Sequence, residues 1–151
     1  MPDVKMNEIL AEMASGLAGT WVIIVADNDG MLLSSWAAPE NKLPPEMMGG
    51  FIQTINEAIA AFKQSTTEFG KLDDVIFTMG FSCIVIKPIA DGSCFMVVNA
   101  PKEVPLGMIR MSCKNYAPRL EQSLPGQEPG PGQEPGQEPL PRRDGMGTVV
   151  P

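Results

Sequence analysis

Three short runs in this chain are apolar at every position: Trp21-Val22-Ile23-Ile24-Val25-Ala26, Ile84-Val85-Ile86 and Phe95-Met96-Val97-Val98. Successive side chains of a strand point to opposite faces, so a run without alternation belongs to a strand covered on both sides. The fold must therefore hold a sheet between two layers. Helices can supply those layers, because three segments carry apolar residues at helical spacing. The first contains Met6, Ile9, Leu10, Met13 and Leu17. The second contains Met48, Phe51, Ile52, Ile55, Ile59 and Phe62, and the third Leu106, Ile109, Cys113, Tyr116 and Leu120.

The residues between these runs set their order. Gly16 and Gly19 suit the end of the first helix. Asp27-Asn28-Asp29-Gly30 tolerates positive φ and joins the first strand to Met31-Leu32-Leu33-Ser34-Ser35-Trp36, whose serines mark an edge strand. After a loop from Pro39 to Pro45, the two prolines at 44 and 45 open a long helix, expected to reach about Phe69 and to end through Thr66-Thr67 and Gly70. Strands follow at Val75–Met79, Phe81–Ile89 and Ser93–Ala100, with turns at Gly80 and Asp91-Gly92. Pro118 cannot donate to the carbonyl of Lys114, which predicts a kink or an early stop in the last helix. The fold class read from this order is α/β in the α+β sense: a five-stranded antiparallel sheet with helices on both faces, helix–β–β–helix–β–β–β–helix.

Composition divides the 151 residues unevenly. Residues 125–151 hold seven of the fifteen prolines and six of the fifteen glycines, and Pro-Gly-Gln-Glu-Pro at 125–129 recurs at 131–135 and, without its first proline, at 136–139. Such a segment cannot bury a core, so a domain over 1–124 and a disordered tail over 125–151 are expected. The formal net charge is −7, and neither part carries a basic stripe, which argues against nucleic acid and anionic lipid as partners. No apolar run is long enough for membrane insertion, and Met1-Pro2-Asp3-Val4-Lys5 lacks a signal-peptide pattern. A cytoplasmic protein is expected. Three cysteines without a C-x-x-C fit that compartment: the hairpin at Asp91-Gly92 sets Cys83 opposite a position near 100 rather than Cys94, so buried free thiols are expected.

Catalytic and metal-binding patterns are missing. The chain has no histidine, which removes His-dependent hydrolase dyads, His-ligated metals and the commonest general base. Gly70-Lys71 fails as a phosphate loop, with Ser65 where the first glycine belongs and Leu72 in place of Ser or Thr. Asp73 and Asp74, read as neighbours on a strand, should point to opposite faces and share no site. Most of the eleven methionines fall on apolar stripes, which assigns them to the core rather than to a partner groove. No catalytic residue, metal or cofactor is expected.

With the element order, three local features make a pattern: the Asp27–Gly30 turn after a buried strand, Pro88-Ile89-Ala90-Asp91-Gly92 before the fifth strand, and Leu106-Gly107-Met108-Ile109-Arg110 opening the last helix. The chain resembles the Roadblock/dynein light-chain family and, within it, the prokaryotic MglB-type regulators of small Ras-like GTPases. The resemblance covers roughly residues 3–124; Pro118 and the Gly/Pro tail depart from it. It implies a non-enzymatic homodimer in which the third strands pair and the central helices lie side by side, forming a platform that meets a GTPase and orders its switch loops. The implied dimer residues are Phe51, Ala58, Ala61, Val75 and Phe77, and the implied GTPase-facing residues Gln53, Glu57, Ala60 and Gln64. Sequence physics agrees on the third strand, since Val75-Ile76-Phe77-Thr78-Met79 would otherwise be a bare apolar edge. The rival readings are a structural adaptor without effect on GTP turnover and an enzyme on a profilin-like scaffold.

Overall fold

A computed structural model describes residues 4–65 and 70–124, and its compact unit runs to Glu121. The expected end of the second helix at 66–69 and the expected tail at 125–151 lie outside the described residues. The elements are α1 (Val4–Ser15), β1 (Val22–Asp27), β2 (Leu32–Ala37), α2 (Pro45–Ser65), β3 (Val75–Thr78), β4 (Ser82–Ile89), β5 (Cys94–Pro101) and α3 (Leu106–Gln122). The strands form one antiparallel sheet in the order β2-β1-β5-β4-β3. The runs without alternation occupy its centre: β1, β5 and β4 are flanked on both edges by neighbours, and Val22–Ala26 and Cys94–Ala100 are buried throughout.

Each face of the sheet has its own core. On one side Met48 and Ile52 of α2 pack with Val22, Ile24 and Ala26 of β1, Ile84 and Ile86 of β4, and Phe95 and Val97 of β5. The alternate residues, Ile23, Val25, Val85, Met96 and Val98, are fully buried on the opposite face, where α1 contributes Met6, Ile9, Leu10 and Met13 and α3 contributes Ile109, Cys113, Ala117 and Leu120. Glu12 ties these two helices together, accepting from both terminal nitrogens of Arg119 at 2.8 and 3.0 Å and from the Tyr116 hydroxyl at 3.0 Å. The Ser34 hydroxyl donates to the side-chain oxygen of Asn7, which accounts for a buried serine on the edge strand β2.

The turns follow the sequence signals. The Asp27 carboxylate accepts from the backbone N–H groups of Asp29 and Met31, both at 2.9 Å, and Gly30 takes φ +87°. Between β4 and β5, Ala90 and Asp91 adopt φ 51° and 57° ahead of Gly92 at 88°. This left-handed run is held by Glu121, whose carboxylate accepts from the Ala90 N–H at 2.9 Å, and by the Ser93 hydroxyl on the Ala90 carbonyl at 2.8 Å. Cys83 pairs with Ala100 in the register, and all three thiols are free and buried.

Three expectations need correction. Of the kink or early stop expected at Pro118, the early stop does not occur: α3 continues through the proline to Gln122. The proline ring sits on the exposed side, while Ala117 and Leu120 bury against the sheet and Arg119 binds Glu12, so the turn beyond the lost hydrogen bond is held by tertiary contacts. Asp73 and Asp74 do share a partner, because both precede β3 and are free of strand alternation: Arg110 reaches Asp74 at 2.8 Å and Asp73 at 3.7 Å. Finally, the methionines among the described residues are not mainly core. Met6, Met13, Met48 and Met96 are buried, but Met31, Met47, Met79, Met108 and Met111 are exposed, since each stands on a turn, an edge or the outer side of a helix.

Candidate protein-interaction surface

The sheet ends at β3, a short strand paired only with β4, in the register Val75↔Ile86 to Thr78↔Cys83. Its outer edge has no partner strand among the described residues. Val75 and Ile76 are half-buried, whereas Phe77 and Thr78 are exposed, and the hairpin beyond them exposes Met79 and Phe81, the latter to 88%. An apolar strand edge that offers unpaired backbone groups is a template for pairing with another chain. Alternation places Val75 and Phe77 on the α2 side of the sheet, and Val75 packs against the α2 core there.

The outer surface of α2 divides into two stripes. Met47, Phe51, Thr54, Ala58 and Ala61 recur in steps of four, three, four and three residues and are all exposed. This is the spacing of a helix seam that packs on another helix, and its small members permit close approach. Phe51 is 44% exposed, which is costly for a large aromatic ring in water. Gln53, Glu57, Ala60 and Gln64 recur in steps of four, three and four on a neighbouring, more polar line; the first three are exposed, and the side chain of Gln64 lies outside the described ones. Gly49 and Gln53 lie against the β1–β2 turn, so the seam containing Phe51 and Ala58 occupies the other flank of the helix.

That turn sets the helix in place. A Cβ on Gly49 would stand 2.5 Å from the Gly30 carbonyl oxygen, and a Cβ on Gly30 would stand 2.7 Å from that of Gly49. Backbone therefore meets backbone between α2 and the hairpin. On the other side of the sheet, Lys87 donates to Asp73 at 3.1 Å and holds its carboxyl below the ordinary carboxylate range, while Asp74 raises Arg110. These exposed pairs steady the start of β3. Burial pushes the Cys113 thiol up to about 12, so it is a packing group rather than a nucleophile. Among the described residues no group of three acidic, histidine or cysteine side chains could hold a metal ion, and no helix is long and apolar enough to cross a membrane.

Of the sequence-derived residues, Phe51, Ala58 and Ala61 are exposed on α2, Val75 is half-buried and Phe77 exposed on β3, and Gln53, Glu57 and Ala60 are exposed on α2. Met47, Thr54 and Phe81 are exposed near these residues and were not singled out, whereas Met79 was read as the end of the apolar edge. Steps of three and four from Phe51 would have found the first two; Phe81 carries no periodic signal.

This architecture has known counterparts. Solved structures similar to the chain include the gliding protein MglB from Thermus thermophilus (16% identity, 79% of this chain and 87% of that chain, TM-score 0.70) and Myxococcus xanthus MglB (14%, 78% and 92%, 0.68). A Roadblock/LC7 domain from Streptomyces avermitilis is also similar (12%, 76% and 96%, 0.62). The chain has the Roadblock fold. No protein-family model matches the sequence, and no curated protein matches it. The Roadblock likeness extends to MglC from Myxococcus xanthus, with 16% identity over 80% of this chain and all of that one, at TM-score 0.56.

Proposed function

We propose that this Roadblock protein is a homodimeric, non-catalytic regulator of a small Ras-like GTPase. One observation carries the reading: a bare apolar strand edge and an exposed helix seam lie on the same side of the sheet. A two-fold copy would cover both at once, adding β3 to β3 and seating α2 on α2. Val75, Phe77, Phe51, Ala58 and Ala61 would then be buried. The line of Gln53, Glu57, Ala60 and Gln64 would remain open on the paired helices, a polar platform for the partner's switch loops. Contact that orders those loops changes the nucleotide cycle without a catalytic group from this chain. The tail at 125–151 is proposed as an accessory segment outside this domain.

The test is size-exclusion chromatography with light scattering, alone and with a Ras-like GTPase from the same cell carrying GDP or a GTP analogue. The expected results are a dimer, a complex formed in one nucleotide state, and a complex lost in Glu57→Lys while the dimer persists. Phe77→Glu should yield monomer. A monomeric wild-type chain would sink the dimer, and a dimer that binds the GTPase in neither state would sink the regulator and leave the adaptor.

A further inference from the structure

The backbone of β3 specifies which of its residues can meet another strand. Met79 donates its N–H to the Ser82 carbonyl at 2.8 Å, in line with the register Val75↔Ile86 to Thr78↔Cys83. Met79 and Ser82 thus form a hydrogen-bonded pair, and the alternation of an antiparallel ladder directs the backbone groups of Phe77 and Val75 to β4 as well. The N–H and C=O groups of Ile76 and Thr78 point the other way, to the open edge. The edge is also bounded at both ends. Asp73 and Asp74 are committed to Lys87 at 3.1 Å and to Arg110 at 2.8 Å, and beyond Met79 the chain turns at Gly80 into β4. Between these limits lies the apolar stretch Val75 to Met79, with Phe77 at its centre.

Two-fold symmetry restricts how this edge can meet a second copy of itself. Facing positions of an antiparallel pair have residue numbers with a constant sum. An odd sum would set Ile76 or Thr78 against Val75 or Phe77, so that backbone groups turned outward in one copy would meet groups turned inward in the other. It would also oppose side chains of the α2 face to side chains of the other face. Only even sums remain, and each places one residue opposite itself. With Ile76 on the axis, exposed Met79 would lie against the charged Asp73 of the second copy. With Thr78 on the axis, Val75 and Ile76 would face Phe81 and Gly80, beyond the end of the strand. With Phe77 on the axis, Ile76 faces Thr78, Val75 faces Met79, and the apolar stretch covers itself from end to end. Phe77 and Met79, 40% and 48% exposed, are then both covered by apolar side chains.

We propose that two copies of this chain join at β3 with the two-fold axis through Phe77, so that Ile76 and Thr78 of each copy exchange backbone hydrogen bonds with Thr78 and Ile76 of the other. The inference rests on the homodimer proposed above and adds the residue on which it turns. Phe77 and its copy form a non-hydrogen-bonded pair, the closer of the two antiparallel spacings, at about 4.5 Å between Cα atoms. Two aromatic rings thereby pack across the axis on the α2 side of the joined sheet. Val75 of each copy covers Met79 of the other. Asp73 and Asp74 stay with Lys87 and Arg110 of their own chain, outside the apolar seam.

Single cysteines introduced into the full-length chain read this register, because in a symmetric dimer a residue reaches its own copy only at the axis. The native thiols of Cys83, Cys94 and Cys113 are buried, so wild type should stay unlinked under mild oxidation. Phe77→Cys should become a covalent dimer, since its Cα separation falls within the roughly 4.4–6.8 Å that a disulfide spans. Ile76→Cys and Thr78→Cys should each remain unlinked, because each stands a diagonal step of about 7–8 Å from its own copy. Co-expressing the Ile76→Cys and Thr78→Cys chains should restore the link between them, which decides the register even where Phe77→Cys weakens the dimer. A link in Ile76→Cys or Thr78→Cys alone, or none in the co-expressed pair while light scattering still finds a dimer, would overturn the register and leave the homodimer standing. A monomeric wild-type chain would overturn both.

Discussion

Gly49 and Gly50 are adjacent in α2, yet replacing each with alanine should have opposite consequences. In a helix interior glycine costs about 0.8–1.0 kcal/mol relative to alanine, mainly through backbone entropy. A Cβ on Gly50 meets nothing within 4 Å, so Gly50→Ala should gain most of that amount. A Cβ on Gly49 would stand 2.5 Å from the Gly30 carbonyl oxygen, far inside van der Waals contact. Neither group can rotate away, because both belong to the main chain. Relief requires the β1–β2 turn to separate from α2, an overpacking of about 1–3 kcal/mol. Since the helix-propensity gain is common to the two variants, the difference between them isolates the overlap: Gly49→Ala should be less stable than Gly50→Ala by about 1–3 kcal/mol. Urea unfolding followed by circular dichroism, at one protein concentration, measures this from the midpoints at constant slope. Equal midpoints, or a Gly49→Ala variant at least as stable as Gly50→Ala, would show that the hairpin and α2 do not meet backbone to backbone.

Three further expectations rest on other contacts. Pro118→Ala restores an N–H toward the Lys114 carbonyl in a helix that already runs through this position, and should stabilise by up to about 3 kcal/mol in the same unfolding assay; a loss would mean that α3 depends on the proline ring. Cys83, Cys94 and Cys113 all have thiols pushed up by burial, so at pH 8 an aromatic disulfide reagent should titrate them only after denaturant is added, and rapid labelling of the native protein would contradict their packing. Glu12 is held below its ordinary value of 4.5, first by its hydrogen bond from Arg119 and then by Tyr116. A carboxyl lowered in the folded state stabilises above its unfolded value and loses that contribution as pH falls through the folded one. Wild type should therefore exceed Glu12→Gln in stability at neutral pH, with the gap closing in acid and shrinking in high salt because the pair is exposed; a gap unchanged in acid would refute the pairing.

Much of the fold could be read directly from residues. The unbroken apolar runs of β1, β4 and β5 required a sheet covered on both faces, since no single-sided arrangement buries both Ile23 and Ile24. Ser34 and Ser35 marked β2 as an edge, and Asp27–Gly30 and Asp91-Gly92 located two hairpins through their tolerance of positive φ. The failures share a cause. The early stop at Pro118 and the separation of Asp73 from Asp74 were judged by local rules, which tertiary contacts with Glu12, the sheet and Arg110 override. The exposed methionines were misread because helical spacing identifies a stripe without saying whether anything covers it.

The candidate surface was legible only in part for the same reason. Spacing grouped Gln53 with Glu57, Ala60 and Gln64, because positions three and four apart share a helix face, but it placed Phe51 on the stripe of Met48 and Ile52, and only the family resemblance set Phe51 beside Ala58 and Ala61. Which face turns toward the sheet depends on contacts that no window of sequence contains. The sequence by itself determined the elements, their order and the two-sided cover of the central strands, all consequences of local backbone preference and apolar periodicity. The tertiary structure alone decided that β3 ends the sheet, that Gly30 meets Gly49, and that Glu12 joins α1 to Arg119 of α3. Each of these joins residues far apart in the chain, where packing and not propensity fixes the outcome.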